Sequence, residues 1–107
     1  MGDLLQWSIS WFDEPRWSVA TVGPWDENIE RFFALLKQLD TLLATNAPLR
    51  RYNDERMLQG PLADAMTHVG QLAMIRRMYG SPTTGENFAE AGIQVGDVSG
   101  VAAAQSA

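Results

Sequence analysis

Apolar positions along the chain fall into two long helical stripes and one short cluster. Trp25, Ile29, Phe32, Phe33, Leu36, Leu39 and Leu43 recur at spacings of three and four, which predicts an amphipathic helix over about 24–46. Leu35 and Leu42 widen its stripe beyond one face. Pro24 is placed for the first helical position, Asp26 and Glu27 suit the positive end of the helix dipole, and Asn46 followed by Pro48 predicts a left-handed stop. A second stripe, Leu62, Ala65, Met66, Val69, Leu72 and Ala73, predicts a helix over about 61–79. Gly60 is read as the break before it, Pro61 as its start, Arg76 and Arg77 as its favourably charged last turn, and Gly80 as its terminator. The short cluster, Leu4, Leu5, Trp7, Ile9, Trp11 and Phe12, predicts a segment over 3–13. Trp7 and Trp11 share a face in a helix, yet Trp7, Ile9 and Trp11 also alternate as in a strand; the all-helical context favours helix.

Between these elements the pattern is irregular. Pro15 disfavours helical geometry at Glu14, so 15–23 reads as an extended connection with Val19 and Val22 inward. Arg50 to Gln59 reads as a loop with one helical turn. Beyond Ser81 the helical period is lost, Phe88 is the residue around which the chain folds back, and the Gly-, Ala- and Ser-rich 96–107 reads as a flexible tail. The expectation is one all-α domain over 1–95. Two long helices and a short one do not cover both wide stripes, because bundle helices need neighbours on two sides. Each large apolar residue left in water forgoes about 1.5–3 kcal/mol, against a total domain stability of about 5–15 kcal/mol. A homodimer that completes a four-helix bundle resolves this. A monomer covered by its own Trp-rich start and the Phe88 region is the competing arrangement.

Composition narrows the function classes. The 107 residues suffice for one domain, and no apolar run reaches membrane-spanning length. With no cysteine, disulfides, thiolate metal sites and thiol nucleophiles are excluded, which fits a cytoplasmic protein. The start carries Asp3 and no basic run, unlike a signal peptide. A net charge of −5, with Lys37 the only lysine and seven scattered arginines, opposes binding to nucleic acid or an anionic membrane.

Candidate chemistry gathers on the second stripe. Asp64 and His68 are four apart, so both project from one helix face, about 5–6 Å apart at Cβ. They are able to share a divalent metal such as zinc, manganese or iron, with a third donor from Glu30, Asp40 or a second subunit. Alternatively Asp64 is a first-turn helix charge, and His68 is a structural residue bonded to Asp64, Tyr79 or a carbonyl. Gln71 lies on the same side and either orients His68 or a ligand or bonds a neighbouring element. Trp7, Trp11, Trp17 and Trp25 line an apolar ligand pocket in one reading and anchor the core or an interface in the other. No Gly-x-Ser-x-Gly elbow or phosphate loop is present, and Asp13-Glu14 and Asp26-Glu27 read as cap and solvent charges.

The stretch Leu62-Ala63-Asp64-Ala65, Thr67-His68-Val69-Gly70-Gln71-Leu72, Arg76-Arg77, Gly80-Ser81-Pro82 and Gly85-Glu86-Asn87-Phe88 resembles the last ligand helix of the DinB-like (YfiT-like) four-helix bundles. Their pattern is His-x3-His-x-Gly-Gln-Leu; here Asp64 stands at the first histidine and His68 at the second. The similarity extends weakly back through the Trp25 helix, so the chain looks like the later two-thirds of such a bundle, its opening helix missing or replaced. The resemblance implies an up-down helical bundle, a divalent metal (zinc, nickel or manganese) and, in some relatives, transfer chemistry with a small-thiol cofactor. No histidine of this chain answers to the family's third ligand. The leading expectation is therefore a non-catalytic, dimeric binding or interaction module for a small apolar ligand or a helical protein. Phe32 and Tyr79 join Gln71, Trp7, Trp11 and Trp25 as its candidate ligand or interface residues. The alternatives are a metal-dependent thiol-transferase-type enzyme with Asp64 and His68 as ligands, and a truncated relic.

Overall fold

A computed structural model describes residues 1–12, 23–85, 87 and 89–98. Every regular element among them is helical and no strand occurs, as an all-α chain requires. The elements are α1 (Gly2–Ser10), α2 (Trp25–Ala44), α3 (Asp54–Met57), a π-helical turn (Leu58–Leu62) and α4 (Ala63–Met78). The expected connection over 15–23 apart from Gly23, Trp17 within it, the Phe88 fold-back and the tail beyond Val98 lie outside the described residues.

Helix α2 runs close to its expected bounds. Pro24 sits one position earlier than expected, as an extended cap residue with ψ 153°, and Asn28 Nδ2 donates to Gly23 O at 2.9 Å to hold the turn. At the other end Asn46 takes φ 52°, and the Asn46 and Ala47 amides donate to Leu43 O and Leu42 O. This is a Schellman closure with asparagine in the left-handed position. The same pattern closes α4: Gly80 takes φ 80°, and the Gly80 and Ser81 amides donate to Arg77 O and Arg76 O.

The second long helix departs from expectation at its start. It begins at Asp54, not Pro61. Asn53 caps it, its side-chain oxygen accepting from the Arg56 amide at 2.9 Å. Met57, Leu58, Leu62 and Ala63 all keep right-handed helical angles, so α3, the π turn and α4 are one continuous run. Proline inside an α-helix lacks one donor and crowds the carbonyl four residues back. Here the turn widens instead, and the Ala63 amide reaches five residues back to Leu58 O. Gly60-Pro61 therefore reshapes the helix without ending it, and Asp64 is not a first-turn residue of the continuous run; Asp54 and Glu55 are.

Helix α1 is the hub. It packs along α2 on one side and against the π turn on the other. Leu5, Trp11 and Phe12 are buried with Leu39 of α2 and Met57 of α3, and Phe32, Leu35, Leu36, Leu42, Ala47, Leu49 and Leu62 pack around them. Trp7 and Trp11 meet edge to face with ring centroids 5.6 Å apart, and both rings lie against Gly60. Trp11 also meets Tyr52 at a tilt, ring centroids 4.7 Å apart, and its carbonyl accepts from the Arg50 and Arg51 amides. Trp7 and Trp11 are thus core anchors.

The core lies beside the C-terminal half of α2 and the start of the second long run. Helix α4 leaves it behind: none of its residues is buried. Removing the thioether of Met57, which is 2 % exposed, leaves a cavity at the centre of this small core. Met57→Ala is expected to lose about 2–5 kcal/mol of stability in urea unfolding, and Asn53→Ala about 1 kcal/mol.

Candidate functional site

Where α2 and α4 extend past the core, they leave a groove. Its space is about 600 Å³, and it is lined by Met1, Gly2 and Asp3 of the α1 end, Trp25, Asn28, Ile29, Arg31, Phe32 and Phe33 of α2, and His68 and Leu72 of α4. The stripe of α2 explains the apolar wall, since Trp25, Ile29, Phe32 and Phe33 follow helical spacing, and the Phe32 and Phe33 rings meet edge to face at 5.1 Å. The polar groups stand among these apolar ones. Arg31 Nη2 donates to Asp3 Oδ1 at 2.9 Å and to Gln6 Oε1 at 2.7 Å, which ties α1 to α2 at the groove.

His68 is the one histidine of the chain, and it faces this groove. Its two ring nitrogens both meet residues of its own helix. Nδ1–H donates to Gln71 Oε1 at 2.9 Å, one turn on. Nε2 then faces Asp64 Oδ1 at 3.5 Å, one turn back. The i, i+3 and i, i+4 spacing of the three residues is the whole cause of this cluster. Both the imidazole and the carboxylate are about half exposed, so the pair contributes little to stability.

The geometry also bears on metal binding. Two ligand atoms of a tetrahedral zinc ion stand about 3.3 Å apart when each bond is about 2.0–2.1 Å. The Nε2 to Oδ1 separation is close to that, and a hydrogen bond on the opposite ring nitrogen is how proteins commonly fix a ligating histidine. The donor count falls short: no group of three or more metal-ligating side chains occurs among the described residues. Glu30 and Asp40, the expected sources of a third donor, do not line the groove. Among the described residues a single chain brings two donors together and no third.

The expected site residues separate into three groups. His68, Trp25 and Phe32 come together in the groove, with Asp64 and Gln71 holding the imidazole. Trp7 and Trp11 belong to the core. Tyr79 follows the end of α4, 85 % exposed, and does not line the groove. Asn28, Ile29, Arg31, Phe33 and Leu72 join the site without having been singled out from the sequence. Their helix stripes were visible there, but the angle between the helices was not.

Comparison of the chain with protein-family models, curated proteins and solved structures returns no match.

The shorter contact, Nδ1 to Gln71 Oε1 at 2.9 Å, favours the proton of the neutral ring on Nδ1, against the pull of Asp64 Oδ1 at 3.5 Å toward Nε2. Nitrogen NMR of the wild type is expected to show the Nδ1–H tautomer of His68 dominant. Gln71→Leu is expected to return the ring to a majority of the Nε2–H form; an unchanged ratio would show that Gln71 does not orient it.

Proposed function

We propose that this protein is a non-catalytic, dimeric helical binding module, and that the groove between α2 and α4 takes a small apolar ligand. One observation carries this reading: a groove of about 600 Å³ walled by Trp25, Ile29, Phe32, Phe33 and Leu72, with His68, Asn28 and Arg31 as its few polar groups. Ligand sites have this volume and this mixture of apolar walls and sparse orienting groups. The non-catalytic part rests on the surroundings of the imidazole, whose described hydrogen-bond and ion-pair partners are Gln71 and Asp64 and include no hydroxyl nucleophile. The dimeric part rests on α4, which no described part of the chain buries. The resemblance of Pro61 to Phe88 to DinB-like proteins is compatible with a helical binding fold and adds no reaction.

The alternative, a metal-dependent thiol-transferase-type enzyme, has one observation in its favour: the 3.5 Å separation of His68 Nε2 and Asp64 Oδ1, with Nδ1 engaged by Gln71. It needs a third donor from a second copy. Equilibrium dialysis against zinc separates the readings: stoichiometric metal that is lost in His68→Ala supports the enzyme, and zinc uptake that this substitution leaves unchanged supports the binding module.

The groove is tested with N-phenyl-1-naphthylamine, a neutral apolar fluorophore. Saturable binding near one probe per chain is expected. Ile29→Asp and Leu72→Glu, at partly exposed positions of the wall, are expected to weaken it at least tenfold while leaving the helical circular dichroism intact. Absence of saturable binding, or binding indifferent to both substitutions, would overturn the ligand reading.

A further inference from the structure

Helix α4 carries exposed apolar side chains on more than one side, between its polar residues Asp64, Thr67, His68, Gln71, Arg76 and Arg77. Leu72 and Val69 lie on one side, and Met66, Met74 and Met78 on another, with Met66 69 %, Met74 65 % and Met78 74 % exposed. Residues 66, 70, 74 and 78 form a single row at four-residue spacing, the kind of ridge by which helices interlock. At its second position stands Gly70, and nothing described in the chain lies within 4 Å of where its Cβ would be. Glycine is a poor helix former, and no described contact inside the chain gives a reason for it here. Open space above a bare backbone in the middle of an apolar ridge fits the close approach of another helix.

The geometry points to a second copy of this chain as the occupant, with the two α4 helices packed antiparallel and crossing at Gly70. It rests on the dimeric part of the proposed function and adds the face, the direction and the register. Two features choose this occupant. About Gly70 the ridge is symmetric, so a twofold axis there sets Met66 of each copy against the partner's Met74, as an isologous contact requires. The antiparallel direction brings the Arg76–Arg77 end of each α4 alongside the Asp64 end of the other and opposes the helix dipoles, whereas a parallel pair would bring four arginines together.

At about 100° per residue, His68 lies about 140° round the helix from the middle of this ridge. The groove stays on the outer side of the seam, and the partner brings no donor to His68 and Asp64.

Sedimentation of the full chain at micromolar concentration is expected to give a dimer. Gly70→Leu, a better helix former with a bulky side chain at the crossing, is expected to raise the dimer dissociation constant at least tenfold while preserving helical content. Because the chain lacks cysteine, cross-linking reports the register even where that variant misfolds. Oxidised Gly70→Cys is expected to link to its own copy in high yield. Met78→Cys is not, since the two positions 78 stand about 24 Å apart along antiparallel helices. A wild-type monomer would overturn both this inference and the dimeric reading. A dimer that is unaffected by Gly70→Leu, or that links through Met78→Cys and not Gly70→Cys, would overturn the register alone and leave the dimer standing.

Discussion

The arrangement depends on the contact between the tryptophans of α1 and the π turn. Pro61 cannot donate to the helical ladder, and the run from Asp54 to Met78 widens around it. The widened turn presents Gly60, a residue without a side chain, to Trp7 and Trp11. Those two rings, locked edge to face, fasten the short helix to the long one, while Leu5 and Phe12 fasten it to α2. A nine-residue helix has little intrinsic stability in water, so α1 exists because of these contacts rather than its propensity. It is the wedge that holds the two long helices at their core ends.

The position of that wedge shapes both remaining surfaces of the molecule. It occupies the core-side stretch, and past it α2 and α4 face each other across the groove. The groove opens there, and α4 is left with none of its residues buried. The Arg31–Asp3–Gln6 cluster sits where α1 meets α2 at the groove. Its ion pair is about one-third exposed at each partner, so its role is to fix the approach of two elements more than to supply stability. The groove and the bare helix are thus two consequences of one packing decision, made at Gly60-Pro61.

Much of this was legible in the sequence, and the failures are instructive. The stripe of α2, its left-handed stop at Asn46 and the stop at Gly80 were readable because caps and periodicity are local properties. The His68, Asp64 and Gln71 cluster was readable for the same reason. Gly60-Pro61 was misread, because a proline after a glycine looks the same whether it starts a helix or sits in a π turn. The contrary signal was present: Asn53 followed by Asp54 and Glu55 is an N-terminal cap with first-turn acids. The groove was not legible, since Ile29, Phe33 and Leu72 meet only through an interhelical angle that no local pattern encodes. Trp7 and Trp11 were open between pocket and core, and only the position of Gly60 decides that they are core.

The two glycines of the second long run show why a sequence symbol needs its surroundings. Gly60 and Gly70 are the same residue in the same continuous helix, and both weaken it relative to alanine by about 1 kcal/mol. At Gly60 the cost has a recipient within the chain, because the Trp7 and Trp11 rings lie in contact distance of the absent Cβ. At Gly70 the same space is empty of described atoms. The flanking Met66 and Met74 are unbranched thioethers, which adapt to a neighbouring surface more readily than β-branched residues do. A penalty that nothing described inside the chain offsets, set between adaptable and largely exposed apolar side chains, is what the proposed contact between two α4 helices would account for. That asymmetry is what separates a glycine used for folding from one whose room is kept for a second surface.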